Sequence, residues 1–98
     1  MIFRKKLRNK ANLIFICKNP GDTDAEMEAA ENRAKTVVYE FVAKFPDRLT
    51  QQAEIRLTRG ARVKITMQVF FKDSKDLMKM KEYGDKLVIE NGLSDLAE

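Results

Sequence analysis

Arg56, Arg59, Arg62 and Lys64, followed by the aromatic Phe70, are the residues whose types and spacing have the clearest chemical use. Guanidinium and ammonium groups contact phosphate oxygens, and an aromatic ring set among them stacks on an unpaired base. Sheet-based RNA readers work in this way. Residues 53–71 alternate with period two, so an apolar set (Ile55, Leu57, Val63, Ile65, Met67, Val69, Phe71) takes one face of a hairpin. The opposite face carries Arg56, Thr58, Arg62, Lys64, Thr66, Gln68 and Phe70, with Arg59 at the tip. The plainer alternative is a solvated strand face on which Glu54 relieves the repulsion, with Phe70 covered by the amino-terminal segment or a second subunit.

The hairpin register decides how these groups meet. A loop over 59–61 pairs Leu57 with Val63 and Ile55 with Ile65, and sets Arg56 across from Lys64. Like charges directly opposite are destabilising. A strand pair that keeps them is a candidate anion site.

A second basic group, Arg4-Lys5-Lys6-Leu7-Arg8-Asn9-Lys10, suits an arm lying along a phosphate backbone, with Arg4, Lys5, Lys6 and Arg8 as contacts. Residues 1–10 are read as this arm or as an edge strand. Such runs also serve only for solubility, or guard a sheet edge.

Catalytic equipment is sparse. The chain has no histidine, one cysteine and two serines, Ser74 and Ser94. The commonest general base and metal ligand is therefore missing, and no nucleophile–base pair of familiar kind can be assembled. Glu26, Glu28, Glu31, Asp73 and Asp76 fall where helix starts favour acid. The expectation is a protein that is not an enzyme and needs no metal or cofactor.

The composition agrees with a binding role. A chain of 98 residues with 44% apolar and 35% charged residues supports one core and a heavily charged exterior. Its net charge of +4 and pI near 9.3 favour acidic partners. Cys17 lies in the apolar run Leu13 to Cys17 and has no partner for a disulfide, which predicts a buried thiol in a reduced, cytoplasmic setting. No apolar stretch reaches the length of a signal-peptide core or a spanning helix, so a soluble protein is expected.

These groups are positioned by a β-α-β-β-α order. Residues 11–18 read as a central strand because both parities are apolar. Asn19-Pro20-Gly21-Asp22 supplies a turn, and Thr23-Asp24-Ala25-Glu26 a capping box that opens a helix. Met27, Ala30, Ala34, Val37, Val38, Phe41, Val42 and Phe45 form its apolar stripe, which Pro46 ends. After the hairpin, Asp73 or Ser74 caps a second helix that turns Leu77, Met80, Tyr83, Leu87 and Val88 inward and stops near Asn91-Gly92. Met78 and Met80 are both read as core filler. Residues 11–98 thus form a single α+β domain.

This order predicts a two-layer sandwich with a mostly antiparallel sheet, of ferredoxin-like (split β-α-β) or a related kind, with parallel first and second strands and the third between them. The RNA-recognition motif is similar in architecture only, since its glycine-aromatic signature is not found here. Val63 through Leu96 is similar to the end of helix-grip ligand-binding domains, but the chain lacks the strands that grip requires. The expected function is a non-enzymatic module that binds nucleic acid, single-stranded or RNA. The alternative is a small regulator or inhibitor docking on an acidic protein surface or through a sheet edge. A homodimer is expected from the edges a three-stranded sheet leaves open.

Overall fold

The computed structural model describes residues 9–93. Strand β1 (Asn9–Cys17) leads through a tight turn into helix α1 (Asp24–Lys44). The turn closes by local polar groups: the Asn19 side chain accepts from the Gly21 amide at 2.7 Å. Gly21 has φ of +108°, and a Cβ there would lie 2.6 Å from the Glu26 carboxylate. Glycine is required at this position. The capping box forms as expected, with Thr23 Oγ1 accepting from the Glu26 amide and Glu26 Oε1 accepting from the Thr23 amide.

Strands β2 (Glu54–Thr58) and β3 (Arg62–Phe71) follow, then helix α2 (Ser74–Glu90), whose N-cap is Asp73 and whose C-cap is Asn91. The three strands form an antiparallel sheet in the order β1-β3-β2. The strand β3 is therefore central, and β1 and β2 run parallel on either side of it. The hairpin register is the one derived from parity, with Leu57 opposite Val63, Ile55 opposite Ile65 and Arg56 opposite Lys64.

The first strand differs from expectation. Among the described residues β1 is an edge strand, not a central one. Its second apolar parity is not covered: Ile14 and Ile16 remain 44% and 53% exposed, while Leu13, Phe15 and Cys17 are buried. Both parities are apolar because one faces the core and the other faces outward.

The core lies between one sheet face and the two helices. Leu13, Phe15, Cys17, Val63, Ile65, Met67 and Val69 meet Ala30, Ala34, Val37 and Phe41 of α1 and Met80, Leu87 and Val88 of α2. Burying such side chains stabilises by about 1.5–3 kcal/mol for each large one. The stripe on α1 is narrower than its spacing implied, since Val42 is exposed at its margin. Met78 also points outward, and only Met80 fills the core. Gly84 is buried because the ring of Phe15 occupies the space where a side chain would stand. Phe45 links the helices, its ring tilted at 47° against Phe41 with centroids 5.1 Å apart and meeting Tyr83 edge-on at 5.6 Å.

The connection from α1 to β2 joins the sheet. Leu49 bridges Val69, the Thr50 amide donates to the Gln68 carbonyl, and the Phe70 amide donates to the Arg48 carbonyl. Arg48 anchors this segment: its guanidinium makes a bidentate pair with Asp76 at 2.7 and 3.2 Å and also donates to the Phe70 carbonyl. Asp76 further accepts from the Lys72 amide. Arg48 holds the Asp76 carboxyl below the usual carboxylate range against the opposing effect of burial.

Candidate nucleic-acid interface

The sheet face away from the helices is assembled by alternation. The exposed set of β1 (Lys10, Asn12, Ile14, Ile16) continues across β3 (Arg62, Lys64, Thr66, Gln68, Phe70) to β2 (Glu54, Arg56, Thr58). Three cross-strand rows result. Ile16, Lys64 and Arg56 make the first, Ile14, Thr66 and Glu54 the second, and Asn12 with Gln68 the third, which Thr50 extends. Lys10 and Phe70 form a further pair at one end, and Thr58 and Arg62 another at the opposite end.

Glu54 is the only carboxylate among these strand residues, against Lys10, Arg56, Arg62 and Lys64. It reaches Arg56 at 3.4 Å, with both side chains more than 60% exposed. A pair that open to water contributes little. Among the described residues, no carboxylate oxygen comes within ion-pair distance of Arg62 or Lys64. The repulsion between Arg56 and Lys64 is thus only partly relieved.

Phe70 is partly exposed. The ammonium of Lys10 sits 5.5 Å from its ring centroid, a cation–π contact across the strand pair. Lys10 belongs to this face by parity, a role that its place in the basic run concealed. Ile14 and Ile16 give the face its apolar area, while Phe15 turns to the core.

Arg59 is placed elsewhere. Its guanidinium donates to the Asp22 carbonyl and pairs with Asp24 at 2.6 Å, and the Gly60 amide donates to the Gly21 carbonyl at 3.3 Å. The hairpin tip is thereby tied to the start of α1, and Arg59 does not join Arg56, Arg62, Lys64 and Phe70. Arg4, Lys5, Lys6 and Arg8 lie outside the described residues, as does the expected arm or edge strand over 1–10 except for Asn9 and Lys10, which belong to β1.

Comparison with protein-family models, curated proteins and solved structures finds no match to this chain. Cys17 is buried, and burial raises its thiol to about 11, which keeps it protonated and unreactive near neutrality. Among the described residues, no group of three His, Cys, Asp or Glu side chains is gathered for a metal. No helix among them is long and apolar enough to cross a membrane. A groove of about 380 Å³ between α1 and β2, lined mainly by apolar side chains such as Val38, Val42, Leu49 and Ile55 and also by Lys35 and Gln52, lies on the helix side, apart from the basic face.

One polar pair on the open face escaped the sequence reading. Thr50 Oγ1 lies 2.5 Å from Gln68 Oε1. No periodicity rule pairs a loop threonine with a strand glutamine. The bridge of Leu49 to Val69 and the backbone bond from the Thr50 amide to the Gln68 carbonyl bring them together.

Proposed function

We propose that this protein is a non-enzymatic binding module that holds single-stranded nucleic acid, RNA foremost, on the open face of its sheet. One observation carries the reading: Arg56 stands directly opposite Lys64 on an exposed face that offers four cations to one carboxylate. A phosphate between such groups relieves their repulsion and accepts charge-assisted hydrogen bonds from both. Phe70, with Lys10 beside it, adds a stacking surface at the other end of the same face. The arrangement of two helices behind a β1-β3-β2 sheet is compatible with a ferredoxin-like sandwich, which we adopt as the finer description of the fold.

The test is a titration with labelled single-stranded oligonucleotides across a salt series. The Arg56→Glu/Arg62→Glu variant is expected to bind more than about tenfold more weakly, with a flatter salt dependence, because counterion release scales with the phosphates neutralised. Equal, weak binding by the variant and the unmodified protein overturns the reading.

A second reading is favoured by Ile14 and Ile16, which expose apolar surface beside an open sheet edge. In it, a second copy or an acidic protein partner covers β1. The outward backbone groups can be assigned. Gln68 and Phe70 bond the 48–50 segment, so the odd residues of β3 and of β1 bond each other. Lys10, Asn12, Ile14 and Ile16 then direct their backbone groups outward, and the edge closes where the Lys18 amide donates to the Leu93 carbonyl at 2.9 Å. Light scattering at low micromolar concentration that shows only monomer removes the homodimer.

A further inference from the structure

We infer that Gln68, held by Thr50, reads the edge of a base stacked on Phe70, and that the site favours uracil over cytosine. The inference rests on the nucleic-acid reading and names what that face selects. Its basis is the 2.5 Å separation of Thr50 Oγ1 and Gln68 Oε1. In this contact the Thr50 hydroxyl donates to the Gln68 amide oxygen. Thr50 engages the oxygen, and Gln68 Nε2 is left as a donor without a protein acceptor among the described residues.

Gln68 and Phe70 are two apart on β3 and so share a face, with their stems about 7 Å apart. A base lying on the Phe70 ring extends its edge over that distance. Lys10, now above the ring at 5.5 Å, yields its place to the base and meets the adjoining phosphate. Asn12, opposite Gln68 on β1, bounds the position on its other side. The charge of the face fits a polyanion, and the row of amides fits the polar edge of a base.

A fixed donor distinguishes two bases of equal size. Where uracil presents the O4 carbonyl, an acceptor, cytosine presents the N4 amino group, a donor. The amide of Gln68 bonds the first and opposes the second. Thr50 acts as a positioning residue, because without it the amide can turn its oxygen outward and accept from cytosine.

The experiment measures fluorescence anisotropy of short labelled oligo(U) and oligo(C) RNA at one fixed salt concentration. The unmodified protein is expected to prefer oligo(U) by about fivefold, the effect of one ordinary hydrogen bond. Gln68→Met and Thr50→Val should both bring that ratio close to one. Circular dichroism confirms that each variant is folded, and either one alone suffices for the comparison. If the unmodified protein binds but its preference survives in both variants, or is absent from the start, the inference fails and the broader reading stands. If it binds neither RNA, both fail together.

Discussion

Gly84 of α2 lies against the ring of Phe15 of β1, so closely that a Cβ at position 84 would fall within the space of the ring. This contact sets how near the second helix approaches the edge strand. Alanine would raise helix propensity by about 1 kcal/mol, but forcing a methyl group into a filled core costs about 1–3 kcal/mol. Phe15 is only 4% exposed and has little room to withdraw. Gly84→Ala should therefore lower stability, by roughly 1 kcal/mol in urea unfolding. A stabilised variant would mean that the helix and strand are not in this contact.

The bidentate pair of Arg48 and Asp76 gives a second expectation. Its side chains are 21% and 15% exposed, and it anchors the segment that carries Leu49 and Thr50 to the sheet. Asp76→Asn should cost about 2–3 kcal/mol near neutral pH, because it leaves a partly buried guanidinium without its counter-charge. A loss smaller than half a kcal/mol would show that the pair does not anchor the segment.

The same carboxyl imposes a pH dependence. Arg48 lowers the folded-state pKa of Asp76 below its unfolded value. Its contribution is complete above the unfolded carboxylate range, near pH 4, and is lost as the pH falls through the folded value. Glu26 acts in the same direction, because the Thr23 and Asp22 amides and the Thr23 hydroxyl bond its charged form. The stability gap between the unmodified protein and Asp76→Asn should thus narrow below about pH 4. Denaturant midpoints measured at successive pH values check this, and a gap that persists there contradicts it.

Cys17 supplies a test that needs no substitution. With burial raising its pKa to about 11, its thiol should react with an aromatic disulfide reagent only through opening of the core. The rate should rise with denaturant in step with unfolding. Prompt labelling under native conditions would place the residue outside the core.

Phe70→Ala addresses the open face. Losing one stacking platform should weaken oligonucleotide binding by about 1–3 kcal/mol. The ring is partly exposed and outside the core cluster, so its removal should alter folding stability by less than about 1 kcal/mol. Unchanged binding would remove Phe70 from the interface.

Much of this architecture is legible in the residues themselves. Period-two alternation fixes the hairpin register at Arg56 and Lys64, and the capping box at Thr23 and Glu26 marks the start of α1. Chemistry written within a few neighbouring residues can be read locally. The edge position of β1 could not be, since an apolar side chain in a strand reads the same whether it faces a core or water. The separation of Arg59 from the other cations was hidden for a related reason. Asp24 lies far away in sequence, and only the completed turn at Gly21 brings it to the hairpin tip. The pair of Thr50 and Gln68 required the bridge at Leu49 before either residue acquired meaning.

The pairing of Asn9 with Phe71 and of Cys17 with Val63 joins stretches that lie about half the chain apart, whereas β2 and β3 are neighbours in sequence. Closing so long a loop is the slow part of building a sheet. The hairpin is therefore expected to come together early and the first strand late. In the finished molecule, however, β1 carries three buried side chains and the shorter β2 none, so the amides of β2 should be the first of the sheet to exchange with deuterium.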